Sequence, residues 1–121
     1  MLFRSERDGR VEILTTPYYH PILPLIIDNA SALRTDPTAL LPDPPFAYPD
    51  DALYQLEEAV VSHVRGFGVK PRGVWPSEGA VSPETADAIK RADIEWFASD
   101  EGVLARSANI SFEREIGRAH V

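Results

Sequence analysis

Proline placement constrains this chain more than any other feature. Pro17, Pro21 and Pro24 lie close together, and Pro37, Pro42, Pro44, Pro45 and Pro49 crowd residues 37 to 49. Each proline fixes φ and removes a backbone donor, so neither stretch can be a regular helix or a central strand. The first is expected to be an ordered loop and the second a long irregular excursion. Leu40, Leu41, Phe46 and Tyr48 give that excursion apolar side chains to bury, against the rival reading of disorder.

Regular elements are confined to the remaining spaces. The run Val11-Glu12-Ile13-Leu14-Thr15-Thr16 alternates and is rich in β-branched residues, which predicts a strand over 11–16. Leu53, Leu56, Val60, Val64 and Phe67 recur at three- and four-residue steps and predict a helix over 51–66. Asp50 can cap its start and Gly66 or Gly68 can end it. A short strand is expected over 72–75. Ser82-Pro83-Glu84 combines a capping serine, a proline at the first helical position and an acid in the first turn, opening a helix to about Ala92. Ile94 to Ala98 reads as the next strand, and Ser99-Asp100-Glu101-Gly102 as a loop. The order β, loop, α, β, α, β indicates an α/β fold of parallel strands with flanking helices and right-handed connections.

Composition removes several functional classes. The net charge of −7 argues against a nucleic-acid partner and against anionic membrane surfaces. The absence of cysteine excludes disulfides and thiolate metal sites. The longest apolar run, around Ile22 to Ile27, is short and contains Pro24, so no segment can span a bilayer. The N-terminus is too polar for a signal peptide, and the expected location is cytoplasmic. No metal-ligand spacing, Gly-rich phosphate loop or Gly-x-Ser-x-Gly elbow is present, so neither a metal nor a cofactor is expected. His63 reads as a helix-face residue.

Two segments carry candidate chemistry. Each is a short β-like run that breaks into a loop with aromatic and ionisable side chains: Thr15-Thr16-Pro17-Tyr18-Tyr19-His20-Pro21-Ile22-Leu23-Pro24-Leu25 and Gly73-Val74-Trp75-Pro76-Ser77-Glu78-Gly79. Active-site residues gather at strand ends in parallel α/β folds. On burial statistics alone Glu78 would be an ordinary solvated charge and His20 a histidine bonded within its loop. Tyr18 and Tyr19 could equally stack on a ligand or pack in a core.

Both segments closely resemble glycoside hydrolase family 57, the retaining α-glucan amylases, glucanotransferases and branching enzymes. Trp75-Pro76-Ser77-Glu78 matches the family's Trp-x-x-Glu nucleophile segment, and Tyr48-Pro49-Asp50-Asp51-Ala52 matches the start of the intervening helix. The resemblance covers roughly residues 8–106. It implies that residues 1–114 are an interior slice of a (β/α)7 barrel whose cleft lies at the strand C-termini. It implies Glu78 as catalytic nucleophile, with His20, Tyr19, Trp75 and Asp100 at the substrate. The general acid/base residue would come from a later segment, beyond residue 114. Retaining glycosidases need that second carboxyl about 5–5.5 Å from the first, so the chain alone is expected to be inactive. The partner implied is an α-glucan oligosaccharide or polysaccharide. Two alternatives stand beside this: a non-catalytic carbohydrate-binding or structural fragment, and a polysaccharide deacetylase-like barrel, which would need a His/Asp metal triad.

Residues 115–121 are set apart. Ile116-Gly117-Arg118-Ala119-His120-Val121 equals the translation of part of a common sequencing-library adapter, so this segment is expected to be an adapter-derived tail that packs against nothing.

Overall fold

The structure is a computed structural model and describes residues 2–108. The segment 115–121 lies outside them. Five helices and two strands follow in the order α1 (Leu2–Arg7), α2 (Leu23–Ile27), α3 (Pro49–Phe67), β1 (Gly73–Val74), α4 (Pro83–Arg91), β2 (Trp96–Phe97) and α5 (Glu101–Ala108). Single 3-10 segments occupy Asn29–Arg34 and Ser77–Gly79. The architecture is α/β, as expected. β1 and β2 run parallel with Gly73 opposite Trp96 and Val74 opposite Phe97, and α4 makes the crossover between them.

The strand expected over 11–16 contracts to one parallel bridge, Thr15 to Val74. Past Thr15 the ladder stops because Pro17, the next residue in register to face β1, has no N–H to donate. Thr15 takes what remains, its N–H donating to the Gly73 carbonyl at 3.1 Å and its own carbonyl accepting from Trp75 N–H at 2.8 Å. β1 is therefore the middle of three parallel segments.

Helix boundaries follow local chemistry. In α4, Ser82 Oγ accepts from Thr85 N–H at 3.1 Å, satisfying one donor that the first turn leaves unpaired. α3 ends at Gly68, whose left-handed φ of 78° glycine adopts without a Cβ clash. Its start differs from expectation. Tyr48 is the capping position and Pro49 opens the helix, while Asp50 and Asp51 lie in the first turn, where they oppose the positive end of the helix dipole. The prolines of 17–24 do not exclude helix altogether, because α2 places Pro24 in its first turn, where a missing N–H costs nothing.

Residues 35–48 are irregular, as the prolines require. Their C-terminal end is tied to the body: Asn29 N–H donates to the Phe46 carbonyl at 2.9 Å and Tyr48 N–H to the Ile26 carbonyl at 2.8 Å. Leu40 at the far end is fully exposed, so it does not anchor the excursion.

The core lies where α2, α3 and α4 meet β1: Leu23, Ile27, Ala52, Leu56, Val74, Ala88, Ile89, Ala92 and Ile94. The buried face of α3 is Ala52, Leu56, Ala59 and His63, rotated from the expected stripe, and Val64 is partly exposed. Small alanines let α3 approach its neighbours closely, which a reading weighted to large side chains overlooks. Among the described residues, no helix is long and apolar enough to cross a membrane.

Candidate active site

The loop after Thr15 turns sharply. His20 N–H donates to the Pro17 carbonyl at 2.8 Å, which closes the turn, and Pro17 is fully buried beneath it. His20 takes a left-handed φ of 56°. After β1 the chain does the same: Gly79 N–H donates to the Pro76 carbonyl at 2.9 Å, and Glu78 also has φ 56°. A non-glycine residue in this region costs on the order of 1–3 kcal/mol, and such strain collects at functional sites.

The two turns face each other. His20 Nε2 lies 3.5 Å from Glu78 Oε1, with the side chains 52% and 72% exposed. The opposite ring nitrogen, Nδ1, is 3.1 Å from Thr16 Oγ1. The Thr16 hydroxyl can donate to Nδ1 or accept from it, according to the imidazole tautomer, and so holds the ring from the side away from Glu78. The residue before Glu78 is anchored: Ser77 is buried, and among the described residues its Oγ has no hydrogen-bond partner.

The same two segments carry exposed aromatic rings. Tyr19 is 76% exposed and Trp75 55%. Tyr18 meets Tyr19 edge-on at 4.7 Å between ring centres. A groove of about 730 Å³ is lined in part by Ile22, Leu25, Ala80, Val81, Phe97 and Ser99, and His20, Tyr19, Trp75, Glu78 and Asp100 are not among its lining residues. Ile22 and Ala80 each lie two residues past His20 and Glu78, so the groove continues from the same strand ends. Its size is that of a small-ligand cleft.

Asp100 has a different local role. Its Oδ1 accepts from Gly102 N–H at 2.7 Å and its carbonyl accepts from Val103 and Leu104 N–H, so it caps α5. The expected loop over 99–102 is thus already the start of that helix. Two residues that sequence reading passed over, Thr16 and Gln55, touch the His20 turn directly. Gln55 carries no sequence signal, being one polar residue inside an amphipathic helix. Among the described residues, no three His, Asp or Glu side chains converge as a group that could hold a metal.

Parallel strands whose C-terminal ends present a carboxylate, an imidazole and open aromatic rings define an α/β protein with a candidate site at the strand ends. The model of glycosyl hydrolase family 57 matches residues 3–119, and the chain belongs to that family. Searches of curated proteins and of solved structures returned no match.

Proposed function

We propose that the chain is part of a retaining glycoside hydrolase or transglycosylase acting on α-1,4/α-1,6-glucans, with Glu78 as its nucleophile. The contact between His20 and Glu78 carries this reading. Imidazole at Oε1 leaves the second carboxylate oxygen open to solvent, where it can attack an anomeric carbon. As that bond forms the glycosidic C–O bond breaks, and the leaving oxygen takes a proton from a second acid. Water then opens the glycosyl-enzyme ester, or a sugar hydroxyl does so in transfer. The acid comes from a segment of the parent protein other than the one described here. Tyr19 and Trp75 offer faces for sugar rings to stack on, His20 a donor for a sugar hydroxyl, and Asp100 a carboxylate in the loop after β2. The three parallel segments are read as successive staves of a (β/α)7 barrel.

Reducing-sugar release from maltooligosaccharides tests the assignment. In the parent protein, Glu78→Gln is expected to lower turnover by several orders of magnitude with binding largely kept, since the amide cannot form the ester. The 121-residue chain alone is expected to be inactive. Turnover by the parent variant within about tenfold of wild type, a barrier change of only about 1.4 kcal/mol, would place the nucleophile elsewhere.

A further inference from the structure

The turn that presents His20 is held from outside by one residue of α3. Gln55 supplies two acceptors to consecutive amides: its main-chain carbonyl takes Tyr18 N–H at 3.1 Å and its side-chain Oε1 takes Tyr19 N–H at 2.9 Å. The third amide in succession, that of His20, is held by the Pro17 carbonyl. Three successive peptide planes are thereby fixed, and with them the torsions of Tyr18 and Tyr19 and the direction in which the chain enters His20. Two of the three belong to Gln55.

The clamp holds the chain that leads into a strained residue, His20 with its φ of 56°. A left-handed histidine costs on the order of 1–3 kcal/mol and persists only where its surroundings over-determine it. Each hydrogen bond contributes roughly 0.5–1.5 kcal/mol, so three together offset such a cost more fully than one. Pro17 and Pro21, on either side, offer no amides to help. The orientation of the Gln55 amide is settled by chemistry as well, because a backbone N–H requires its oxygen and would repel its NH₂.

We propose that Gln55 is the positioning residue of this site: it acts through the Tyr18 and Tyr19 backbone to keep the His20 ring against Glu78. Its consequence for sugar cleavage rests on the function proposed above, whereas the geometry does not.

The test compares Gln55→Met, which keeps length and helix propensity without a comparable acceptor, with Gln55→Glu, which keeps an oxygen at the same reach. Isotope-labelled 121-residue chain gives three readouts: Tyr19 amide exchange with solvent, the nuclear Overhauser contact between the His20 ring and the Glu78 side chain, and the melting temperature. In Q55M, Tyr19 exchange is expected to quicken by up to roughly tenfold, the worth of one lost hydrogen bond, and the His20–Glu78 contact to vanish. Q55E keeps both near wild type. A role confined to stability would lower the melting temperature of Q55M and leave the contact intact, which overturns the proposal. So does a folded Q55E that loses the contact. Maltooligosaccharide turnover by the parent separates the two readings. If Glu78→Gln leaves turnover unchanged while Q55M still loses the contact, the sugar-cleaving assignment fails and the positioning role stands.

Discussion

Gly73 lies directly under the indole of Trp96: a Cβ built at residue 73 would come within 2.4 Å of the ring. The two residues are register partners on β1 and β2, so the missing side chain of one makes room for the other. Trp96 also donates from Nε1 to Glu12 at 3.2 Å, which ties the ring across β1 to the segment before Thr15. Gly73→Ala should therefore displace the indole and destabilise the chain by roughly 1–3 kcal/mol. Adding Trp96→Ala should recover part of that loss, a non-additivity that urea melts of the four variants would reveal. Additive costs would show that the ring moves aside freely.

Leu56 and Val64 test which face of α3 is buried. Leu56 is fully buried, so Leu56→Ala should cost roughly 2–5 kcal/mol through lost transfer energy and a cavity. Val64, at 39% exposure, should lose no more than about 0.5 kcal/mol on the same truncation. Equal costs in denaturant titrations would restore the stripe drawn from the sequence.

His63 should make the fold sensitive to mild acid. Burial lowers its pKa, and the Glu6 carboxylate 3.9 Å from Nε2 opposes that shift only in part. The folded state therefore resists a proton that the unfolded chain accepts below about pH 6.5. Stability is full above that pH and declines as pH falls toward the lower folded value. His63→Leu should remove the decline in this window, which thermal melts between neutral and mildly acidic pH would show.

Glu84 defines a second, more acidic window. The two-pronged bond from Arg34, at 2.7 and 2.9 Å, holds its pKa down at about 2. A depressed carboxylate stabilises the fold above its unfolded pKa, and that contribution fades as pH falls from the ordinary carboxylate range toward about 2. Both side chains are open to water, so the effect is small and salt-sensitive. Glu84→Gln should melt slightly below wild type at neutral pH and together with it at the acid end. A constant difference across the range would exclude the ion pair as its source.

Much of this was legible in the sequence, wherever short-range chemistry decides. Ser82 with Pro83, and Gly68 after an apolar stripe, mark helix ends through atoms within one turn. The break from β-like run to loop at His20 and at Glu78 likewise signalled that both would emerge on one side. What the sequence hid depends on partners distant along the chain. How far the strand over 11–16 extends depends on which of its residues β1 pairs with, and only Thr15 bridges to it among the described residues. Ala52 and Ala59 gain their burial from what α3 packs against. Gln55 acquires its role only because the folded chain brings the Tyr18 and Tyr19 amides to it.

The middle position of β1 also bears on how the chain folds. Its two neighbours come from opposite ends of the described chain, Thr15 far before it and Trp96 after the short crossover through α4. The crossover closes a short loop, whereas the Thr15 bridge must enclose the whole irregular excursion and α3 before any contact rewards it. Loop-closure entropy grows with the enclosed length, and contacts of long sequence separation slow folding. β1, α4 and β2 should thus assemble first, with the His20 turn docking late, so the two halves of the site would meet only in the final stage of folding.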